Sequence, residues 1–543
     1  MVNDYNDKTQ RIPDKKSSRT LRLVTFNVNG VKTIFNYHPW NGHKQCFDTS
    51  LQYLKADIVS LQELKLTAQN LSSTKIGNTQ KYRSFVSVPK TKKGYSGVGL
   101  FVRIPNENED AVLKKNLSVA KAEEGLTGYL FSPDKKGSRY RELAVEECIG
   151  CYPTDIDDET CSKLDSEGRC ISVQLASGLI IFSLYCPANS SGTEEGEIQR
   201  LLFLRVLLER CKRLEEKGNE VIIMGDINVA LDLIDHADYM RESFKQGTLK
   251  HSLNSSGDGS ELEKLNLAEC LKFKDSTPAR SLLNAYVHPS SESMLVANSS
   301  KQFLYDTTRE VQKRRLGMYT VWNTLTGARQ SNFGSRIDLI LTSSKALCKN
   351  VSSANIWPFL HGSDHCPVYT DFEVQDVEKE PPSIMPLKLE AKSHYKLVQH
   401  RDISQMFKSK ARTTSDKESD KADVPADSKR KKTPYVSRKK TLDNNQRSIK
   451  TFFFSDNQKE DDIKFEDTKP KSAAGTRSAI DLQHYSKILY GETPYCKHGE
   501  LAELKTSFKN PKTKGKKFWS CARPTNIDSK CDFFKWAEPK KET

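Results

Sequence analysis

The chain has 543 residues, enough for one large core and at least one further folded unit, but only 36% are hydrophobic and 29% are charged. That balance predicts that part of the chain stays unfolded, and no apolar run approaches the roughly 18 residues of a membrane-spanning helix. The net charge of +15 is unevenly placed: residues 401–543 hold 33 Lys/Arg against 21 Asp/Glu, a surplus of 12 that reads as a tether for a polyanion.

Residues 1–20 are polar, lack a signal-peptide core and read as a flexible N-terminus, so the protein is expected to be made in the cytosol. Leu21–Phe26 alternates into a strand that ends at Asn27-Val28-Asn29-Gly30. Gln45–Leu54 carries Phe47, Leu51 and Leu54 at helical spacing, and Ala56–Glu63 is a second strand with a carboxylate at its end. Tyr82–Val88 and Gly97–Val102 read as further strands, parted by the turn-rich Lys92-Lys93-Gly94-Tyr95-Ser96. From 104 to 164 the pattern weakens into a charged insertion. Strands resume at Cys170–Leu175 and Leu179–Tyr185, followed by a helix near Ile198–Arg213 with a Leu201, Leu204, Leu208 stripe.

Val221–Met224 reads as a strand buried on both faces, Gly225 as a sharp turn, and Asp226 and Asn228 as polar groups at the strand mouth. Taken alone, an Asx-turn that closes the strand explains the pair as well as chemistry does. A second weak region, 236–318, suggests helical pieces and loops; Ser335–Leu341 and Val368–Phe372 are the last strands. Residues 376–492 lose all periodicity and read as a disordered basic linker, and a Cys/Trp/Phe-rich unit occupies 493–540.

Between 21 and 375 the strand ends deliver Asn27, Glu63, Tyr185, Asp226, Asn228, Asp338, Asp364 and His365. These converge if the strands share one end of a sheet sandwich. Glu63 is a hard oxygen ligand suited to Mg²⁺. Each residue alone is weak evidence; a set of strand ends is much harder to obtain by chance.

Thr25-Phe26-Asn27-Val28-Asn29-Gly30, Leu61-Gln62-Glu63, Tyr185-Cys186-Pro187, Gly225-Asp226-Ile227-Asn228-Val229, Arg336-Ile337-Asp338 and Gly362-Ser363-Asp364-His365-Cys366-Pro367-Val368 together resemble the endonuclease/exonuclease/phosphatase superfamily. Gly94-Tyr95-Ser96-Gly97-Val98-Gly99, Asp165-Ser166-Glu167-Gly168-Arg169 and Ala328-Arg329 ahead of Gly334 resemble its exonuclease III branch of AP endonucleases. The resemblance implies a four-layered α/β sandwich of two packed mixed β-sheets. It implies Glu63 as Mg²⁺ ligand, with Asn27, Asp226, Asn228, Asp364 and His365 around the metal and Mn²⁺ able to substitute. Asp226 would activate water, Asn228 orient it or the phosphate, Asn27, Tyr185 and His365 contact the phosphate, and Asp338 orient His365. Asn29 stands where some relatives carry a metal-binding Asp. Lys32, Tyr95 and Arg169 would contact DNA.

In the tail, Gln446, Ile449, Phe452 and Phe453 form a short apolar turn within 446–453 that resembles a PIP box for the sliding clamp PCNA. Lys429-Arg430-Lys431-Lys432 with Arg438-Lys439-Lys440 reads either as a nuclear localisation signal or as plain solvated charge. Cys496, His498, Cys521 and Cys531 suit a closed structural Zn²⁺ site, which so small a unit needs in order to fold. The unit resembles the GRF zinc finger, with Lys516, Lys517 and Phe518 placed for single-stranded nucleic acid. Cys148, Cys151, Cys161 and Cys170 read as ordinary thiols in an intracellular-type chain of thirteen cysteines.

Catalytic domain, linker and finger together resemble the second, nuclear type of eukaryotic AP endonuclease. That implies Mg²⁺-dependent cleavage 5′ to abasic sites, clearing of blocked 3′ ends and 3′→5′ degradation, on damaged double-stranded and single-stranded DNA in the nucleus, with no membrane partner. The competing readings are a phosphoesterase of a non-DNA substrate and a repair scaffold with minor nuclease activity.

Overall fold

The computed structural model describes residues 11–90, 94–190, 192–250, 257–290, 301–376, 382–397, 493–507, 517–523 and 530–537. The chain divides into two units, residues 1–403 and 404–543. The first holds β1 (Thr20–Asn27), β2 (Ile58–Gln62), β3 (Tyr82–Ser87), β4 (Val98–Arg103), β5 (Val119–Glu124), β6 (Cys170–Leu175), β7 (Ile180–Tyr185) and β8 (Val221–Asp226). It continues through β9 (Tyr305–Asp306), β10 (Val321–Trp322), β11 (Gly334–Ser335), β12 (Asp338–Thr342), β13 (Val351–Ile356) and β14 (Val368–Glu373). The second unit holds β15 (Glu503–Thr506), β16 (Lys517–Ser520) and β17 (Phe534–Trp536), one antiparallel sheet over a small core of Ala502, Leu504 and Trp519.

Two six-stranded sheets, ordered β13-β14-β1-β2-β4-β3 and β5-β6-β7-β8-β12-β9, make the larger unit. The β1–β2 and β7–β8 pairs are parallel and the rest antiparallel, so both sheets are mixed. Alternation along β1 assigns its faces. Leu21 and Leu23 join Ile171, Ile222 and Ile340 in the core between the sheets, whereas Val24 and Phe26 pack outward on Trp40, Phe47 and Leu51. Over the other outer face runs the helix Glu194–Glu216, its buried Arg210 lying 5.3 Å from the Phe182 ring of β7. Helix, sheet, sheet and helix give the expected four-layered sandwich.

Gly225 does not make the sharp turn its sequence position suggests. It lies inside β8, and a Cβ there would sit 1.9 Å from the Leu184 carbonyl oxygen of β7. A close approach of neighbouring strands, not a turn, requires the glycine.

The charged insertion 104–164 supplies β5, an edge strand of the second sheet. Its charges conceal it in the sequence, yet they are buried and paired. Arg210 Nη2 donates to Glu123 Oε2 at 2.6 Å and the Ser87 hydroxyl to Glu124 Oε1 at 2.6 Å. The weak region 236–318 is mainly helical, as expected, and adds the two-residue edge strand β9.

Both expected flexible margins are packed where they adjoin the sheets. In the N-terminal stretch, Ile12 is buried, Lys15 pairs with Asp57 at 2.9 Å and Pro13 offers its carbonyl to Arg22. In the expected linker, residues 382–397 strap the edges of both sheets. The Met385 amide donates to the Ala120 carbonyl on β5 at 2.8 Å, and the Tyr395 hydroxyl to the Val86 carbonyl on β3 at 2.9 Å. Leu389 and Ala391 between them are fully buried. Such a strap covers strand edges that would otherwise invite pairing with another chain. Leu389→Ala is expected to cost about 2–4 kcal/mol in denaturant unfolding; a loss below about 0.5 kcal/mol would show the strap to be a surface appendage.

Candidate active site and zinc centre

The sequence pattern suggests that every site residue follows a strand. Asn27, Glu63, Tyr185, Asp226 and Asn228 do. Asp338 instead begins β12, and Asp364 and His365 precede β14. They reach the same edge because β12 runs antiparallel to β8, with Asp338 opposite Asp226, and β14 antiparallel to β1.

Three site residues, Asn29, Glu63 and Asn228, have φ near +50° (46°, 51° and 56°). For a long side chain such as Glu63 that conformation costs of order 1–3 kcal/mol and needs surrounding structure to impose it. Gly30 N donates to the Glu63 carbonyl at 2.8 Å, and Leu64 N and Lys65 N donate to Gly97 and Ser96. The Gly94–Gly99 segment thus holds the Glu63 corner in place.

The Asn27 amide nitrogen donates to Glu63 Oε1 and to Asp226 Oδ2, both at 2.9 Å, while its oxygen accepts from Asn29 N at 3.0 Å. Both its amide protons and its carbonyl are engaged. It thereby links two carboxylates from different sheets. Asn29 Nδ2 donates to Asp364 Oδ1 at 2.9 Å, and Lys65 Nζ lies 3.0 Å from Glu63 Oε2 and also contacts Asn29. Asn228 donates from its backbone to Asp226 Oδ1 at 3.0 Å and from its side chain to the Cys186 carbonyl at 2.8 Å.

His365 Nδ1 is 2.8 Å from Asp338 Oδ2, and its Nε2 is 3.9 Å from Asp226 Oδ2. Burial opposes the imidazolium, but Asp338, then Asp226 and Asp364, outweigh it and raise the His365 pKa to about 10. Burial, then the Asp338 charge, raises the Asp226 carboxyl toward about 8. Burial beside the Glu63 and Asp226 carboxylates raises the Tyr185 phenol far above its ordinary range, so it remains a donor.

Ligand atoms of Glu63, Asp226 and His365 lie within 4.8 Å of one another. A charged imidazole does not bind a cation, so Glu63 is the group in this set best suited to a hard divalent ion. The ammonium of Lys65, already beside Glu63 and Asn29, marks the place as one that accepts positive charge. Beneath the His365 loop, Arg329 donates to the carbonyls of Pro358, Leu360, Ser363 and His365. Its supporting role carries no signal in the sequence beyond Ala328-Arg329.

Among the expected DNA contacts, Lys32 and Tyr95 are exposed, whereas Arg169 is 3% exposed and its guanidinium is enclosed by Tyr95, Tyr185 and Glu167. That burial corrects its assignment as a DNA contact. Lys516 and the residues expected to bind a clamp, Gln446, Ile449, Phe452 and Phe453, lie outside the described residues, as does the 429–440 basic run.

In the second unit, Cys496, His498, Cys521 and Cys531 bring their ligand atoms within 4.8 Å of one another. His498 Nδ1 is 3.7 Å from Cys496 Sγ and 3.6 Å from Cys521 Sγ. A tetrahedral Zn²⁺ with sulfur at about 2.3 Å and nitrogen at about 2.0 Å imposes about 3.6 Å between them. The donor set and the spacing both fit zinc. Phe518 stacks on Phe534 at 4.9 Å, and both meet Trp536 edge-on, giving the sheet an exposed aromatic face.

An Endonuclease/Exonuclease/phosphatase family model matches residues 24–365, and a GRF zinc finger model matches 494–540. A Saccharomyces cerevisiae protein named DNA-(apurinic or apyrimidinic site) endonuclease 2 is 40% identical over 538 residues, covering 96% of this chain and 98% of its own length. The Homo sapiens protein of the same name is 26% identical over 587 residues, covering 96% and 100%. The crystal structure of the Xenopus laevis APE2 catalytic domain covers 67% of this chain and 95% of its own, at 25% identity and a TM-score of 0.47.

Asp338 is the strongest influence holding the His365 proton. Asp338→Asn is therefore expected to move the His365 imidazole titration from about 10 down toward neutrality, as read by histidine NMR. An unmoved titration would place the source of the shift elsewhere.

Proposed function

Because the chain belongs to the endonuclease/exonuclease/phosphatase family, we propose that it is a DNA base-excision-repair nuclease that cuts 5′ to abasic sites, clears blocked 3′ ends and degrades 3′→5′. The observation that carries this reading is the meeting of Glu63, Asp226 and His365 within 4.8 Å at one end of the sandwich. Relatives that align over 96% of this chain are named DNA-(apurinic or apyrimidinic site) endonuclease 2.

In-line hydrolysis needs a base for water and donors for the charge that grows on phosphoryl oxygen. Asp226, made more basic by burial and by the Asp338 charge and held in position by Asn27 and Asn228, takes the water proton. The Asn228 side-chain oxygen orients that water. His365, kept cationic by Asp338, and the protonated Tyr185 donate to the phosphate. Glu63, with Asp364 reached through Asn29, would hold a Mg²⁺, for which Mn²⁺ can substitute; bound there it supplies positive charge to a phosphate oxygen.

The finger's Phe518, Phe534 and Trp536 offer stacking faces, and Lys516 and Lys517 offer phosphate contacts, for single-stranded DNA. The 446–453 segment would dock on a sliding clamp of the PCNA type, and the 429–440 run would direct the protein to the nucleus.

Asp226→Asn should reduce Mg²⁺-dependent release from abasic and 3′-blocked oligonucleotides by at least about 10³-fold while duplex binding changes little. Retained cleavage removes Asp226 from the mechanism; cleavage of only non-DNA phosphoesters by the parent protein would falsify the substrate assignment. Cys521→Ser in the full chain should lose one equivalent of zinc, by metal analysis, and weaken single-strand binding. Unchanged zinc content and affinity would refute the finger's role.

A further inference from the structure

We propose that Arg169 is a positioning residue that sets the orientation of Tyr185 and couples it to Tyr95 on the surface. The proposal rests on the reading of Tyr185 as a phosphate donor.

Arg169 immediately precedes β6 and lies between two aromatic rings, its guanidinium carbon 5.0 Å from the Tyr95 centroid and 4.9 Å from the Tyr185 centroid. All three nitrogens of the fork are engaged. Nε donates to Glu167 Oε2 at 2.6 Å, Nη1 to the Tyr185 carbonyl at 3.3 Å and Nη2 to the Tyr95 hydroxyl at 2.6 Å. The backbones answer in kind, with Tyr185 N donating to the Arg169 carbonyl at 2.9 Å.

The clasp is itself held. Gln199, on the helix Glu194–Glu216, donates to the second oxygen of Glu167. The Ser96 hydroxyl donates to the Glu167 carbonyl at 2.5 Å, which anchors the loop that carries Tyr95. Helix, loop and strand therefore all fix one guanidinium.

A charge this deep is costly to desolvate, and the cost is offset only by good partners. Filling the space between two tyrosines needs no charge at all; an aliphatic side chain would do it. A lysine would retain the charge, but its single ammonium cannot place donors on three acceptors as far apart as the planar fork does. The residue type thus matches the task of orienting two rings. Tyr185 is 9% exposed and Tyr95 41%, so within this trio substrate reaches Tyr95 most readily. Contact with DNA at Tyr95 bears on the same guanidinium that fixes Tyr185.

A double-mutant cycle with the full chain, Mg²⁺ and an abasic duplex tests this. Tyr185→Phe removes one donor and should lower kcat by about 10²–10³-fold. Arg169→Met should lower kcat by about 10- to 100-fold, with KM changed less. In the Tyr185→Phe background the same change should cost under about threefold, because the donor it orients is gone. Arg169→Lys should not restore the rate. Independent, multiplicative losses overturn the positioning role alone, as does full activity of Arg169→Lys. An unaffected Tyr185→Phe overturns the reading of Tyr185, and the proposal with it. If Arg169→Met does not fold, Glu167→Gln, which keeps the shape of the clasp and removes its counter-charge, runs the same cycle with the same two outcomes.

Discussion

The site depends on one neutral amide placed between two acids. Glu63 comes from the first sheet and Asp226 from the second, and two carboxylates at roughly 5 Å repel by about 3 kcal/mol at an effective dielectric near 20. Asn27 gives each of them one N–H at 2.9 Å. Its orientation is not arbitrary, since Asn29 N donates to its oxygen at 3.0 Å and so directs the NH₂ group at the acids. Alternation along β1 turns Asn27 toward the other sheet, on the same face as Leu21 and Leu23. The packing of the sandwich core thereby becomes the spacing of the two acids.

Around that amide, charge is set by direction of chain. Parallel neighbours deliver Glu63, Tyr185 and Asp226 from strand ends; antiparallel returns bring Asp338 and His365 to the same edge. The outcome is an alternation of sign, with carboxylate, imidazolium and carboxylate in sequence at Asp226, His365 and Asp338. Arg329 completes it from below by neutralising four carbonyl dipoles of the loop on which His365 rides.

What could be read from sequence follows from this. Strands β1, β2, β6, β7 and β8 are legible because apolar runs or alternation leave a local signal, and the site residues sit at their ends. Strand β5 is not, because Lys121, Glu123 and Glu124 look solvated until Arg210 and Ser87, far along the chain, satisfy the two acids. The strap at 382–397 fails for the same reason: Glu390 is polar, but Arg83 awaits it on β3. Arg169 reads as a DNA contact because residue type alone does not tell whether a polar group faces a substrate or a buried partner. Distance along the chain between partners, more than polarity itself, sets the limit of legibility.

That limit also conceals what the second insertion does. Asp235 pairs with Arg336, one residue from Ile337 and two from Asp338, and with Arg309; Asp232 pairs with Arg314, which also holds Glu263. All of these side chains are buried. Such a network adds little net stability when intact, yet removing one member leaves an uncompensated charge and costs about 3–5 kcal/mol. Glu263, Arg309 and Arg314 come from the weakly patterned region, Asp232 and Asp235 from the segment just before it, and Arg336 lies two residues ahead of Asp338. Ile227 N, one residue after Asp226, donates to the Ile337 carbonyl at 2.9 Å, so the register of β12 against β8 is tied at the catalytic end. The insertion is therefore a brace: its Asp306 pairs with Arg336 at 2.8 Å and its Arg309 with Asp235, which holds the chain two residues ahead of Asp338, the partner of His365.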